Sequence, residues 1–349
     1  MHSNEPIFTL LQQWKSTNQL TAAVVSIQDQ KNHITDYYNG YTTLEKSTPL
    51  SINNLFGVGS ITKTFTAAAI LLLQETNKLR LDDALGTYIS EYPRWHSITL
   101  RQLLNMTSGL TNYTDLPIFY ELSEHSREHC PAQKMIDLAY QASDLSPPGQ
   151  TWQYCNTNYL LLGLILEQVA KEPVGDFFKK HFFEPLGLKN TYFSDSFYPE
   201  SVLYQMAHGY FRNKDYTNFN ASFSGAAGSM VMNSHDILTW ARALLAPGKV
   251  LQPSSLKEMQ TTIPTQPTPP WPEAAEFGLG ILSYDIPKLG RTWYYTGVIQ
   301  GYTSIFLHIP IQNITIAAQA ASWPDPEETL LFPDQFFMSK LLNKLFGCY

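Results

Sequence analysis

The strand-forming segments of this chain lie at its two ends and the helix-forming ones lie between them. Residues 22–27 (AAVVSI) and the stretch through HITDYYNG read as a strand hairpin, behind a helix that carries Leu10, Leu11 and Trp14. Four more strand candidates (FGLGILSY, RTWYYTG, YTSIFLHIP and ITIAAQAAS) follow one another in the C-terminal quarter, and a helix containing PDQFFMSKLLNKLF closes the chain. The order predicts one sheet built from both termini with a helical region inserted. Helical patterns dominate that inserted region, notably SITLRQLLNMTSGL and NYLLLGLILEQVAKE. A further strand-like piece, NLFGVG, runs into a helix that begins near Ser60, and the proline-dense stretch 261–275 reads as an exposed loop.

Composition narrows the partners. A net charge of −7 with no basic run argues against nucleic acid or an anionic membrane surface as the main partner. No apolar stretch is long enough to span a bilayer. The N-terminal residues lack a basic region followed by an apolar region and a small-residue cleavage site, so the expected compartment is cytoplasmic, or extracytoplasmic if this is a mature chain. Cys130, Cys155 and Cys348 form neither a disulfide framework nor a metal spacing.

The stretch LFGVGSITKTFTAAAILLL places Ser60 and Lys63 three residues apart at the head of an apolar run. In the first turn of a helix, residues so spaced share a face. The unpaired N–H groups and the positive end of the helix dipole would favour negative charge on the serine oxygen. Apolar neighbours such as Phe65, Ala67 and Ile70 would disfavour the ammonium form of the lysine, leaving it able to accept a proton near neutrality. The alternative is an N-cap serine with a surface lysine. The same spacing recurs at Ser254 and Lys257, ahead of a polar helix. Downstream, Tyr154, Cys155 and Asn156 stand between a Pro-Gly turn and an apolar helix. Y-x-N also recurs at Tyr37–Asn39 and Tyr216–Asn218, without that setting. Thr296 and Gly297 end a strand candidate in WYYTGVIQGYTS.

In this order, S-x-x-K, Y-x-N and a Tyr-Thr-Gly strand resemble the serine β-lactamase and penicillin-binding superfamily. The likeness is to its branch of class C β-lactamases, D-alanyl-D-alanine carboxypeptidases and related esterases. Framing segments such as LRLDDALGTYI, FFEPLGLKNTYF and GAAGSMVMNSHDILTWA extend the likeness over nearly the whole chain. The resemblance implies a three-layer α-β-α domain with an antiparallel sheet, formed by residues 1–80 and 225–349. A mostly helical subdomain, 81–224, is inserted, and the active site lies in the cleft between them.

It further implies an acyl-enzyme on Ser60, with Lys63 and Tyr154 sharing general-base work and Asn156 binding substrate or positioning Lys63. The backbone N–H groups of Ser60 and Val298 would form the oxyanion hole, and Tyr295, Thr296 and Gly297 would line the substrate strand. Gly297 is expected to let substrate approach that strand without a side chain in the way. No metal or organic cofactor is required. Relatives carry lysine or histidine where this chain has Tyr295. A missing cation there weakens phenolate formation at Tyr154, moves base duty toward Lys63 and disfavours carboxylate-bearing substrates. Efficient β-lactamase activity is then less expected than esterase or peptidase activity. Arg291 is near in sequence and is a candidate to compensate. Cys155 reads as a small buried side chain.

Two other chemistries compete. HSREH, residues 125–129, matches an inverted zinc-peptidase pattern in which His125, Glu128 and His129 would share a helix face. A sensor that acylates without turnover is the second. His208 and His235 read as structural, the latter at a helix start capped by Ser234 or Asn233, and no G-x-S-x-G elbow occurs.

Overall fold

The computed structural model describes residues 5–125, 128–211, 214–265, 275–322 and 335–348. Eight strands form one antiparallel sheet. Its order from edge to edge is Ile34–Gly40, Ala22–Gln28, Ile314–Ala321, Tyr302–Ile309, Gly290–Ile299, Leu282–Ile286, Glu276–Phe277 and Ile263–Pro264. The first long strand therefore pairs with the last, in the register Val25↔Ala318.

Alternation along the strands assigns the two faces. Ile316, Ala318 and Ala320 join Ala23, Val25 and Leu307 against Leu10, Leu11 and Trp14 of the helix Glu5–Thr17 and Leu341 of the helix Gln335–Phe346. Trp14 stacks on Phe337 across these two helices, ring centroids 4.3 Å apart. On the opposite face Trp293, Tyr295, Phe306 and Ala317 share a core with Phe65 of the helix Thr62–Glu75 and Trp240 of the helix Ser234–Leu245. Phe65 and Trp240 stack at 3.6 Å. Two helical layers thus cover a sheet whose side chains alternate with period two.

Two helices are buried nearly all round. Every residue from Thr62 to Leu71 is buried. So are Thr157 to Gly163 at the start of the helix Asn156–Ala170, which packs against it. A helix apolar on all sides belongs inside a large fold, and a polar group it carries is buried with it. Among the described residues no helix is long and apolar enough to cross a membrane.

Three expectations need correcting. Of NLFGVG only Phe56–Gly57 is paired. It joins Met230–Met232 in a separate small sheet with Thr191–Phe193. The segment FGLGILSY is split between the strands Glu276–Phe277 and Leu282–Ile286. The proline-dense stretch begins and ends in the sheet: Ile263–Pro264 pairs with Glu276–Phe277, and Thr265 N–H donates to Ala275 O at 2.8 Å. An edge strand accepts proline because its outer N–H has no ladder partner to lose. Residues 266–274 lie outside the described part.

Candidate active site

Ser60 sits in a 3₁₀ turn, Gly59–Ile61, immediately ahead of the helix Thr62–Glu75 rather than within its first α turn. No side chain caps that helix. Instead Thr62 Oγ1 donates to Gly59 O and Thr64 Oγ1 to Ile61 O, each at 2.7 Å, so the Ser60 hydroxyl is left for other partners. The turn lies directly on the strand Gly290–Ile299. Gly59 has φ +48, and a Cβ there would come 2.5 Å from Val298 O. A Cβ at Gly297 would collide with Val58 O and lie 2.9 Å from Ser60 N. Gly297 is therefore required for backbone-to-backbone docking of the serine turn, and not to clear a path for substrate as expected from sequence.

Lys63 is fully buried. Its Nζ lies 3.0 Å from Ser60 Oγ, 2.7 Å from Asn156 Oδ1 and 2.7 Å from Ala227 O. Among the described residues no carboxylate pairs with it. Burial holds its pKa well below the ordinary lysine value. A neutral amine has two N–H donors and one lone pair. The Asn156 and Ala227 oxygens can only accept, so in the neutral form they would take both N–H bonds and the lone pair would face Ser60 Oγ.

Tyr154 completes the cluster, its hydroxyl 2.6 Å from Ser60 Oγ. Burial raises the Tyr154 pKa above the ordinary phenol value, so the phenol stays protonated near neutrality. Asn156 is held in one orientation: its Nδ2 donates to Thr114 Oγ1 at 3.1 Å and its N–H to Asn112 Oδ1 at 2.9 Å. Cys155 between them is buried, and burial pushes its thiol up to about 11, in keeping with a packing role.

The strand Leu282–Ile286 pairs only with residues 290–294, whereas Tyr302–Ile309 pairs with 293–299. From Tyr295 onward the strand therefore has one edge outside the ladder, and the serine turn lies on the face of the strand at Gly297. Thr296 and Val298 are half-buried there. Tyr295 is 1% exposed and packs edge-on against Phe277 at 6.2 Å. Its hydroxyl lies against the Tyr154 phenol, makes no well-aligned hydrogen bond, and is held protonated by burial. Arg291 does not replace the missing cation. It sits four residues back, about 13 Å along the strand, and its guanidinium is bound to Glu276 at 2.6 Å and Asp285 at 3.0 Å.

The remaining candidates lie apart from this cluster. His208 pairs with Asp215 at 2.7 Å and His235 with Asp36 at 2.9 Å. Asn233 is the cap next to His235, accepting from Asp236 N–H at 2.9 Å. The helix carrying the first residue of HSREH ends at His125, residues 126–127 lie outside the described part, and His129 belongs to no helix or strand. No single helical turn therefore carries that motif. Among the described residues no group of three His, Cys, Asp or Glu could hold a metal ion. Ser254 and Lys257 are both exposed.

Sequence reasoning missed Asn112, Thr114 and the Ala227 carbonyl. The polar run TNYTD after the Ser-Gly stop was the available signal for the first two, and a backbone oxygen leaves none. A cavity of about 920 Å³ lies elsewhere, bordered by Leu160, Leu164 and Glu167 of the helix Asn156–Ala170, and Ser60 does not line it. A smaller cleft bordered by Phe119, Tyr216, Ser224, Ile299 and Gln300 opens at the end of the substrate strand.

A serine joined to a buried lysine and a tyrosine, on a turn docked against a strand of an antiparallel sheet, defines a class, and the chain belongs to it. It is a member of the β-lactamase family, whose profile matches residues 9–333. Penicillin-binding protein 4* of Bacillus subtilis (strain 168) is 26% identical over 284 residues, 77% of this chain and 61% of that protein. The putative penicillin-binding protein PbpX of the same strain is 30% identical over 211 residues, 59% of this chain and 50% of that one. The chain thus matches only half to three fifths of the length of these curated relatives. A D-stereospecific amidohydrolase from Streptomyces sp. superposes with a TM-score of 0.82 at 27% identity, covering 99% of this chain and all of that one. D-amino acid amidase from Ochrobactrum anthropi SV3 shares the fold with a TM-score of 0.86 at 24% identity, over 99% and 98% of the two chains.

Proposed function

We propose that this chain is a serine hydrolase that cleaves an ester or amide through an acyl-serine intermediate. One observation carries the reading: Ser60 Oγ is bonded on one side to a buried lysine amine and on the other to a tyrosine phenol. As Ser60 Oγ attacks the carbonyl carbon, its proton passes to the Lys63 lone pair. The ammonium so formed is held by the Asn156 and Ala227 oxygens already in place. The carbonyl oxygen, now negative, is received by the N–H groups of Ser60 and Val298. Lys63 returns the proton to the leaving atom through Tyr154, which takes a proton from Lys63 as it gives up its own, so that no free phenolate, disfavoured by burial, is formed. Water then attacks the acyl-serine with Lys63 again as base, regenerating Ser60. Asn156, Thr296 and the backbone after Gly297 bind the acyl chain, and Tyr295 is a neutral wall.

In this reading the site lies between a sheet domain of residues 1–80 and 225–349 and a helical insertion of 81–224. Ser60, Lys63 and the strand come from the first, Tyr154 and Asn156 from the second. The names of relatives agree with hydrolysis: a D-stereospecific amidohydrolase and, at 25% identity, the unguisins hydrolase of Aspergillus campestris.

The test is labelling by a fluorophosphonate probe together with turnover of a p-nitrophenyl ester. Labelling of the wild type and its loss in Ser60→Ala are expected; label persisting unchanged in Ser60→Ala sinks the proposal. Time-resolved intact mass separates turnover from a persistent adduct.

A further inference from the structure

We propose that Met106 is the positioning residue of Tyr154: its carbonyl oxygen and its thioether sulfur hold the chain on either side of the tyrosine, and so place the phenol where it can hand a proton to the leaving atom. This rests on the acyl-serine reading and adds a residue to the same site.

Met106 stands where a helix ends. The helix Leu100–Leu104 is followed by Asn105, and then Met106 turns left-handed at φ +64. Thr107 N–H donates to Gln102 O at 3.0 Å and Met106 N–H to Leu103 O at 3.5 Å, the pair of bonds that closes a helix through a left-handed residue. Glycine is the usual occupant of that position, because a Cβ is strained there. A long side chain in such a place carries a cost that its contacts have to offset.

Those contacts converge on Tyr154. Gln153 N–H donates to Met106 O at 2.9 Å, and Cys155 N–H donates to Met106 Sδ at 3.3 Å. The residues just before and just after the tyrosine are thereby fastened to one residue. Asn158 Nδ2 donates to the same sulfur at 3.6 Å, while its Oδ1 accepts from Ser108 Oγ at 2.7 Å, so the first turn of the helix Asn156–Ala170 is tied in as well. A thioether is a weak acceptor. Here it is an acceptor with apolar bulk in a place closed to water, since Met106, Cys155 and Asn158 are all buried. Without the sulfur, the Cys155 N–H has no water to turn to, and a buried donor left unpaired drives the segment to shift.

Tyr154 reaches Ser60 Oγ at 2.6 Å from this segment, so a shift of Cys155 moves the phenol relative to the bond being broken. Were Met106 only a packing residue of the core, its volume would matter and its sulfur would not. Two substitutions separate these roles. Leucine fills a similar volume but offers no acceptor. Asparagine places an oxygen at the same side-chain position as the sulfur and is among the residues that tolerate a left-handed backbone.

The test reads the leaving group on the full chain. The p-nitrophenyl and ethyl esters of one acyl group are compared in kcat/KM for wild type, Met106→Leu and Met106→Asn, well below the unfolding temperature of each. p-Nitrophenolate departs without a proton, whereas the ethyl ester needs one delivered to its leaving oxygen. Met106→Leu should lower kcat/KM for the ethyl ester by about tenfold, the scale of a catalytic group moved by a fraction of an ångström. The p-nitrophenyl ester should stay within about twofold of the wild type, and Met106→Asn should recover part of the ethyl-ester loss. An equal change in both esters, no change in either, or an asparagine variant no better than leucine overturns the proposal. If Met106→Leu does not fold, Met106→Asn decides: a wild-type ratio between the esters supports the assignment, and a ratio shifted about tenfold against the ethyl ester overturns it. A wild type that turns over only the p-nitrophenyl ester has no relay to position, which overturns it too. Fluorophosphonate labelling of Ser60 is run in parallel. Intact labelling with an unmoved ester ratio removes only the Met106 assignment, whereas absent labelling of the wild type removes the hydrolase reading and this inference with it.

Discussion

The chain carries the same four-residue pattern twice, and the two copies could hardly differ more. Ser254 and Lys257 lie on the short helix Pro253–Met259 with both side chains in solvent. Ser60 and Lys63 have the same spacing, but the helix that follows is buried from its first residue, the amine is cut off from water, and three oxygens surround it. Burial of the Lys63 amine without a carboxylate partner disfavours its ammonium form. Spacing permits the contact, and burial supplies the chemistry.

Ser60→Ala should produce the largest effect. Hydrolysis should fall by a factor of about 10³ or more, as when a nucleophile is removed, while Ser254→Ala leaves the rate and the label untouched. Comparable loss in both would abolish the distinction between the copies. Lys63→Met comes next, with an expected rate loss of about 10² to 10⁴.

Lys63→Met also has a stability signature of opposite sign. Because the folded amine has a pKa below the unfolded one, the unfolded chain binds the extra proton between those two values. The penalty is fully present below the folded pKa and fades as pH rises toward the unfolded value. The variant should therefore melt at a higher temperature than the wild type, with a larger gap at pH 6 than at pH 9. Thermal unfolding at the two pH values measures this, and a gap that grows with pH would contradict a neutral buried Lys63.

Gly297→Ala tests the docking of the turn. The added methyl meets the Val58 carbonyl, a backbone atom that cannot swing aside, so both stability and labelling rate should drop. A folded, fully active Gly297→Ala would show that the turn is not clamped to the strand. The smallest effect is expected at Arg291. Its partners lie at the sheet edge, so Arg291→Ala should change kcat/KM less than about twofold, within the range of ordinary surface substitutions. A large loss for anionic substrates would reinstate it as the missing cation.

Much of this arrangement was legible beforehand. The N-terminal hairpin and the C-terminal strands declare themselves through apolar alternation, and every long strand of the sheet was anticipated. Ser60, Lys63, Tyr154 and Asn156 were all named, and the structure brings their side chains into one hydrogen-bonded cluster. The pairing of Ile263–Pro264 escaped notice because a proline-dense run has no alternation to read. The purpose of Gly297 was misread for a different reason. A missing side chain announces close approach but never says what approaches.

The residues themselves determined which groups can take part: a hydroxyl, an amine, a phenol and an amide, and a tyrosine where the family resemblance implies a cation. They also determined the sheet, since apolar alternation is a local property of each strand. Tertiary structure alone decided that Lys63 is sealed from water, that Ala227 O and Asn156 claim its hydrogens, and that Arg291 is occupied elsewhere. Protonation depends on desolvation and on partners more than ninety residues away along the chain, and no local pattern encodes either.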